Sequence, residues 1–320
     1  MASSTPHCAA AAVAGVLVVL AALSLHGATA QLCETYYDNT CPDAYTISEA
    51  GAHRRPQGCD GSILLDGVPA KINSEKGAIP NNGSARGYPV VDKVKAALEA
   101  ACPGVVSCAD ILALAAEISV ELSGGPKWGV LLGRLDGVSA DINGANNLPA
   151  PFENLITVLQ GKFKAVGLNN VDLVALSGAH TFGRAQCLNV AQGMTDRLYN
   201  FSGTNRPDPT LDPAYRAFLS QRCPKNRNEN ALNDLDPTTP DTFDKNYYNN
   251  LEVHRGFLIS DQELKSSPQA QGTAAPIVDQ FARSQDAFFK SFAQSIMINM
   301  GEHSHERPYQ RRSPLQLQKG

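Results

Sequence analysis

Apolar residues recur at helical spacing in several separate segments of this 320-residue chain, and this pattern limits the possible folds more than any other feature. Residues three and four positions apart share one face of an α-helix, so each stripe predicts a helix with one buried side. The predicted helices are Pro89–Ala101, Ile111–Leu122, Asn154–Val166, Asn170 or Val171 to Leu176, and the long segment Ile277–Met300. Strand signals are few and no repeat follows residue 30. We therefore expect a mostly α-helical fold in one interlocked domain.

The N-terminus has the pattern of a secretory signal. The longest apolar run lies within Cys8–Leu25, and Ala28-Thr29-Ala30 after it is the small-x-small pattern that a signal peptidase cleaves. We predict that residues 1–30 are a signal peptide and that the mature chain is secreted. The alternative is a membrane anchor, because the run approaches spanning length and the usual positive start is missing. We favour the signal and expect no membrane partner.

Composition excludes two classes of protein. Hydrophobic residues make up 43% of the chain and charged residues 18%, as in globular proteins and unlike disordered ones. The formal net charge is -4, so the chain has no basic excess to neutralise a phosphate backbone. We expect no nucleic-acid partner.

Seven of the eight cysteines follow residue 30, an odd number for an oxidising compartment. They are Cys33, Cys41, Cys59, Cys102, Cys108, Cys187 and Cys223. At least one of these thiols lacks a partner within the mature chain, and a CxxC metal or redox motif is absent. Two N-glycosylation sequons, Asn82-Gly83-Ser84 and Asn200-Phe201-Ser202, are consistent with a secreted surface.

Among the histidines, His180 is the one in an apolar helical setting. The small residues Gly178, Ala179 and Gly183 surround it, and we expect them to leave room for a flat ligand near a buried neutral imidazole. The residue type alone favours the alternative, a core histidine without a ligand, because metal and haem ligands depend on partners that one segment does not show.

The surrounding sequence changes that balance. The run LVALSGAHTFGRAQC closely resembles the proximal-haem signature of secretory plant (class III) haem peroxidases. Further matches follow in the family's order: DNTCP (Asp38–Pro42), GCDGSILL (Gly58–Leu65), SARG (Ser84–Gly87), VSCAD (Val106–Asp110), GRLDG (Gly133–Gly137), NLPAP (Asn147–Pro151), Asp236–Asp244 and SDQEL (Ser260–Leu264). The resemblance covers residues 31–44 and 57–301, so residues 31–301 are assigned to a peroxidase domain and 302–320 to an atypical tail.

The resemblance implies a plant-type peroxidase fold, a helical domain enclosing haem b, in a monomer secreted to the extracellular space or cell wall. Its expected partners are hydrogen peroxide and small phenolic donors. His180 would be the axial ligand of the haem iron, and Asp261 would accept the other ring N–H of His180 and orient it. A helix N-cap is the alternative role for Asp261.

The resemblance also implies two calcium sites, built from the oxygen ligands that a hard cation prefers. The proximal set is Thr181, Asp236, Thr239, the carbonyl of Thr242, and Asp244. The distal set is Gly58, Asp60, Ser62 and Glu75, which we expect to bind calcium weakly or not at all because one acidic ligand is missing. Asn81 matches a support of the distal histidine, Pro149 matches the lining of the donor entrance, and Asp110 with Arg134 matches a structural ion pair.

Two of the family's four disulfides can form, namely Cys41–Cys102 and Cys187–Cys223. The family partners of Cys59 and Cys108 are absent from the chain, and Cys33 is additional. We therefore expect Cys33, Cys59 or Cys108 to be open to mispairing.

The distal helix is the main departure from the family. Between Cys41 and Cys59 the chain is about twenty residues shorter than the family pattern. Ala52 stands at the place of the distal histidine, His53 at that of a calcium-binding Asp, and the distal arginine has no counterpart. The alternative is that His53 substitutes for the distal histidine from one position away. Two functions remain open: a secreted haem peroxidase acting on phenols, or a non-catalytic secreted remnant that binds haem and calcium. Turnover of peroxide distinguishes them.

Overall fold

The structure is a computed structural model that describes residues 32–49, 60–67, 74–151, 153, 156–193 and 196–302. Its α-helices are α1 (Ala44–Glu49), α2 (Tyr88–Ala101), α3 (Cys108–Leu122), α4 (Ile142–Asn146), α5 (Ile156–Ala165), α6 (Asn170–Ser177), α7 (Leu188–Ala191), α8 (Pro213–Arg222), α9 (Asn246–Glu252), α10 (Ile259–Ser266), α11 (Ala275–Arg283) and α12 (Gln285–Glu302). The strands are β1 (Arg184–Gln186) and β2 (Leu232–Asp234). Short 3-10 helices are Ser62–Leu64, Glu75–Gly77, Gly178–Thr181, Phe201–Gly203 and Pro268–Ala270. The mostly α-helical prediction is confirmed.

Several predictions lie outside the described residues. They concern the signal at 1–30, most of the tail, and the segment that holds Ala52, His53, Gly58 and Cys59. Within the described part of the chain, no helix is long and apolar enough to cross a membrane.

Local capping explains where two of these helices begin. The Ser107 hydroxyl accepts a hydrogen bond from the backbone N–H of Asp110 at the start of α3. The Asp110 carboxylate binds elsewhere, so the reciprocal half of a capping box is not formed there. A complete capping box opens α6, where Asn169 caps the helix and the Asp172 carboxylate accepts from the Asn169 N–H at 2.8 Å.

The segment Ile277–Met300, which we predicted as one amphipathic helix, is divided between two. Ser284 has an extended backbone at φ -137°, which ends α11. Its hydroxyl then accepts a hydrogen bond from the N–H of Ala287 in the first turn of α12. One serine thus divides the predicted amphipathic segment into two helices.

An aromatic cluster on α12 fills the main core. Phe288 contacts Phe243, Tyr248 and Phe281 with ring centroids 4.9–6.0 Å apart, distances typical of attractive ring pairs. The α12 helix lies against α6, and the buried Ser295 hydroxyl donates to Asp172 at 2.7 Å. This packing fixes α6, whose C-terminus leads directly into the turn that carries His180.

A second core forms around the Cys187–Cys223 disulfide, with Leu198, Leu219 and Phe257 buried beside it. Strands β1 and β2 pair antiparallel, with Arg184 opposite Asp234, and they connect this core to the turn after His180. The sheet therefore anchors the chain immediately beyond the site.

The structure contains both disulfides implied by the resemblance, Cys41–Cys102 and Cys187–Cys223. Cys33 is disulfide-bonded as well, and Cys108 is 2% exposed in the main core. Cys33 is therefore not one of the free thiols that the odd count predicts.

Candidate functional site

His180 lies on the 3-10 turn Gly178–Thr181 that follows α6. Its Nδ1 is 2.9 Å from the Oδ1 atom of Asp261, a residue 81 positions away that is 3% exposed. The His180 side chain itself is 35% exposed. The ring is therefore held through Nδ1 by a buried carboxylate, which leaves Nε2 as the nitrogen that can bind a metal.

Asp261 lies in the first turn of α10, where Leu258 is the N-cap residue. The alternative role of Asp261 as the N-cap is therefore wrong. The same Oδ1 that contacts His180 also accepts the hydroxyl of Tyr247 at 2.9 Å. Sequence reasoning missed Tyr247, because its contact joins α9 to α10 and no local motif signals it.

A buried guanidinium fixes the approach to α10. Arg197 and Asp208 form an ion pair with 0% and 2% of their side chains exposed. The same Arg197 donates to the carbonyl of Gly256 at 2.6 Å and to those of Phe257 and Leu258 at 3.3 Å. These bonds hold the three residues that precede α10 and so set the position of Asp261.

Gly178 has a different role from the one expected. A Cβ atom placed on it would lie 2.2 Å from the Tyr248 hydroxyl and 2.5 Å from the Phe288 ring. The space beside Gly178 is filled by the core, so this glycine permits close helix packing rather than leaving room for a ligand. Gly183 has φ +106°, a backbone conformation that favours glycine.

Oxygen atoms from Thr181 and the loop after β2 gather beside the His180 turn. The Thr181 hydroxyl is fully buried and lies 3.1 Å from Asp236 Oδ2 and 3.4 Å from Asp244 Oδ1. The Thr239 hydroxyl lies 3.4 Å from Asp236 Oδ2. Thr242, exposed in the same loop, donates its N–H to the carbonyl of Thr239. The structure thus brings together the side-chain oxygens of Thr181, Asp236, Thr239 and Asp244, while Thr242 is joined to Thr239 through its backbone N–H.

The chemistry of this set fits calcium. Burial raises the pKa of Asp236, and the neighbouring charge of Asp244 adds to the rise, although the N–H groups of Thr238 and Thr239 oppose it. Two close carboxylates with hydroxyl and carbonyl oxygens form a donor set for a hard cation. Across the described ranges, no group of three or more His, Cys, Asp or Glu residues is arranged to hold a metal. The proximal set therefore depends on threonine oxygens as well as its two carboxylates.

The distal set is less well assembled. Asp60 is exposed, and its Oδ1 accepts from the Ser62 hydroxyl at 2.7 Å and the Ser62 N–H at 3.1 Å. Glu75 Oε1 accepts from the backbone N–H of Asp141 at 2.7 Å. Gly58 lies outside the described residues. Asp60 and Glu75 thus each accept hydrogen bonds from different parts of the chain.

The residues expected beside the distal pocket are ordered around a turn. Asn81 is 4% exposed and donates from Nδ2 to the backbone carbonyl of Glu75 at 2.9 Å. Ile79, two residues before Asn81, connects this turn to α4, because its N–H donates to Asn146 Oδ1 at 3.0 Å. Pro149 follows α4 and is exposed. The turn that holds the buried Asn81 is thus joined to α4, the helix that precedes Pro149.

The expected ion pair between Arg134 and Asp110 is present at 3.1 Å, with 2% and 0% of the side chains exposed. The Asp110 carboxylate also accepts from the Tyr37 hydroxyl at 2.8 Å and from the Gly133 N–H at 2.7 Å. Burial raises the pKa of Asp110, while these donors and Arg134 lower it. The network joins Tyr37 of the N-terminal segment to α3 and to the loop at Gly133 and Arg134.

The His180 arrangement fits an axial haem ligand by the chemistry of its donors. Its Nδ1 is occupied by a buried carboxylate, and its partly exposed ring retains a second nitrogen. Such a carboxylate makes the imidazole more basic and fixes its tautomer and orientation. The calcium candidate begins at the next residue, Thr181, so both sites depend on one turn.

Comparisons with known proteins give sequence matches over most of the chain. A family model described as peroxidase matches residues 14–284. The chain is 52% identical over 296 residues to Peroxidase 15 of Ipomoea batatas, covering 86% of this chain and 88% of that protein. It is 47% identical over 309 residues to Peroxidase 54 of Arabidopsis thaliana, covering 90% and 84%. Peroxidase N of Armoracia rusticana is 53% identical over 244 residues, covering 76% and 72%.

Proposed function

The chain belongs to the plant peroxidase family, and from this premise we propose that it is a secreted peroxidase that binds haem b through His180 and oxidises small phenolic donors with hydrogen peroxide. The single observation that carries the proposal is the hydrogen bond between His180 and Asp261, made between two elements 81 residues apart. This contact places an imidazole on a buried carboxylate, the arrangement that a haem peroxidase requires on its proximal side.

The proximal residues would hold the prosthetic group and set its electronic properties. Haem supplies, when bound, an iron that accepts oxidising equivalents from hydrogen peroxide and passes them to donor molecules. His180 would bind the iron through Nε2, and Asp261 would retain the Nδ1 proton in its hydrogen bond. Arg197 supports this pair by holding residues 256–258.

Calcium would brace the same turn. We propose that Thr181, Asp236, Thr239, Thr242 and Asp244 bind one calcium ion, because the Thr181 hydroxyl lies between two carboxylates, 3.1 Å from Asp236 and 3.4 Å from Asp244. Burial raises the pKa of Asp236 and the charge of Asp244 adds to the rise; a bound cation would offset both effects.

Calcium binding can be measured by thermal unfolding. We expect added Ca²⁺ to raise the Tm, and Asp244→Asn to remove this increase, because binding to the native state alone stabilises it. Asp241→Asn is the matched control. It lies in the same loop, pairs with Arg184 and is outside the ligand set, so its Ca²⁺ response should be retained. A Ca²⁺ response that persists in Asp244→Asn would rule out the proposed ligands.

The distal side favours a second candidate function, a non-catalytic secreted protein that binds haem and calcium. The specific observation is the short sequence between Cys41 and Cys59, in which the distal histidine and arginine of the family have no equivalent. A base that moves the proton of hydrogen peroxide contributes on the order of 10²–10⁴ in rate, and an electrostatic donor on the order of 10²–10³. We therefore expect peroxidase activity well below that of relatives with a complete distal helix.

Peroxide-dependent oxidation of guaiacol tests the two candidates. The full chain, purified from a secreting host with haem bound, is compared with His180→Ala and with free haem at the same concentration. We expect slow turnover that exceeds both controls and rises with pH, because solvent must supply the hydroperoxide anion that a distal base would otherwise generate. Turnover no greater than that of free haem would overturn the peroxidase proposal in favour of the non-catalytic one.

A further inference from the structure

The proximal carboxylate accepts two hydrogen bonds at one oxygen. Asp261 Oδ1 lies 2.9 Å from His180 Nδ1 and 2.9 Å from the Tyr247 hydroxyl. Both donors therefore share the negative charge of a single carboxylate oxygen. A hydrogen bond from Tyr247 stabilises that charge and reduces the strength with which the oxygen binds the His180 N–H.

The surroundings fix the Tyr247 hydroxyl in place. Tyr247 is 2% exposed, and its ring lies edge-on to the His180 ring with centroids 6.3 Å apart. Tyr248, the next residue of α9, donates to the carbonyl of Val174 in α6 at 3.0 Å. Tyr248 thus joins α9 to α6, the helix that precedes His180. Tyr247 joins α9 to α10, the helix that carries Asp261.

From this geometry we propose that Tyr247 is a positioning residue that sets the basicity of the axial histidine, weakening the His180–Asp261 hydrogen bond by competing for the same oxygen. The inference rests on the proposed function, since it takes His180 as the iron ligand. Tyr247 acts through Asp261 and has no direct role in the reaction.

Removal of the Tyr247 hydroxyl has a definite electronic consequence. Without it, Asp261 Oδ1 carries more negative charge and draws the Nδ1 proton of His180 more strongly. The imidazole becomes a stronger donor, which favours ferric over ferrous iron and strengthens the bond between iron and histidine. Tyr247→Phe should therefore lower the Fe(III)/Fe(II) midpoint potential and raise the iron–histidine stretching frequency.

The chain offers a matched control in Tyr248→Phe. Tyr248 is fully buried, belongs to the same helix and loses an equivalent hydroxyl, but its hydrogen bond goes to Val174 rather than Asp261. A general loosening of α9 would affect both variants alike, whereas competition at Asp261 affects Tyr247→Phe alone.

The experiment uses haem-loaded full-length chain and measures the midpoint potential by spectroelectrochemistry and the iron–histidine stretch by resonance Raman spectroscopy. We expect Tyr247→Phe to shift the ferric-to-ferrous ratio about threefold to tenfold toward ferric at a fixed potential, which is about 30–60 mV for a one-electron couple. Tyr248→Phe should leave both readouts at the wild-type value, and Asp261→Asn should shift the potential upward. Neither readout requires peroxide turnover.

The outcomes separate the inference from the proposed function. An unchanged or raised potential in Tyr247→Phe, or an equal shift in Tyr248→Phe, would overturn the inference while His180 remains the ligand. If His180→Ala retains the wild-type haem spectrum, His180 does not bind the iron, and the proposed function and the inference are both overturned.

Discussion

Glu117 on α3 is a carboxylate buried without full compensation. It is 0% exposed; its Oε2 accepts from the Tyr45 hydroxyl at 2.9 Å, and within the described part of the chain its Oε1 makes no hydrogen bond. Burial raises the pKa of Glu117, and the nearby Glu121 adds to the rise, while the hydrogen bond from Tyr45 opposes it. The charged form is therefore less favourable in the folded state than in the unfolded chain.

The sign of the pH effect follows from this raised pKa. Below about pH 4.5, the pKa of Glu117 in the unfolded chain, Glu117 is protonated and its burial favours folding. This contribution to stability is lost as the pH rises through the higher pKa that Glu117 has in the folded protein. We predict that Glu117→Gln raises the free energy of unfolding at pH 7 by about 1 kcal/mol and flattens its pH dependence above pH 4.5. Urea unfolding at several pH values measures both effects.

Glu121→Gln is the control for this prediction. Glu121 is more exposed and pairs with Lys127 at 3.1 Å, an ion pair of the kind that contributes little to stability. A lower free energy of unfolding in Glu117→Gln at pH 7 would contradict the account, because it would mean that the buried carboxylate is stabilising.

At the residue scale, site residues within a family-like motif could be predicted, whereas those defined only by contacts distant along the chain could not. His180 and Asp261 were identifiable because each lies in a continuous motif that resembles a family signature. Tyr247 was not, since its partner Asp261 is 14 residues away and nothing in the adjacent YY pair distinguishes the tyrosine that bonds to Asp261 from the one that bonds to Val174.

At the element scale, the end of α6 packs closely against Tyr248 of α9 and Phe288 of α12 because residue 178 is a glycine. We predict that Gly178→Ala destabilises the protein by about 1–3 kcal/mol and weakens haem binding, because the added Cβ would press on Tyr248 and Phe288 and displace the turn that holds His180. Chemical unfolding and haem titration measure the two losses.

The matched substitution is Gly161→Ala in the middle of α5. Gly161 is exposed, and an added Cβ meets no atom within 4 Å. This variant should gain about 0.5–1 kcal/mol, since glycine destabilises a helix interior relative to alanine. If Gly178→Ala were as stable as Gly161→Ala, the close packing of α6 would not govern the position of the site.

Helices were predictable where the apolar period is continuous, as at α2, and where a cap agrees with it, as at Ser107 before α3. They were not predictable where a side chain makes a distant bond. Asp110 has the spacing of a capping box, but Arg134 and Tyr37 hold its carboxylate, and these partners lie 24 and 73 residues away. Ser284 caps the start of α12 and so divides a continuous amphipathic stripe. The apolar residues keep the same spacing on both sides of Ser284, so their pattern alone does not show this break.

At the scale of the whole molecule, the proposed secretion predicts a glycosylated surface. The sequon residues Asn82, Gly83 and Ser84 are all exposed on the turn that precedes α2, and Gly83 has φ +69°. We predict that Asn82 carries an N-linked glycan in protein secreted from eukaryotic cells. Mass spectrometry after enzymatic deglycosylation would show Asn82 converted to aspartate, and Ser84→Ala would abolish the conversion. Unmodified Asn82 in secreted protein would contradict this.

The two sides of the haem site differ in what the chain retains. On the proximal side, His180, Asp261 and the threonine and aspartate oxygens form a connected arrangement. On the distal side, the family resemblance implies that the histidine and arginine are missing, and Asp60 and Glu75 bond to protein donors. We therefore expect the molecule to bind haem but to react with hydrogen peroxide slowly.

The central claim is that His180, supported by Asp261, is the haem ligand of this chain. Titration of the full-length protein with haem b, followed by absorbance, tests it most directly in the wild type, His180→Ala and Asp261→Asn. The account predicts a saturable one-to-one Soret band in the wild type, its loss or displacement in His180→Ala, and roughly 10- to 100-fold weaker binding in Asp261→Asn. Identical binding and spectra in the wild type and His180→Ala would contradict the account.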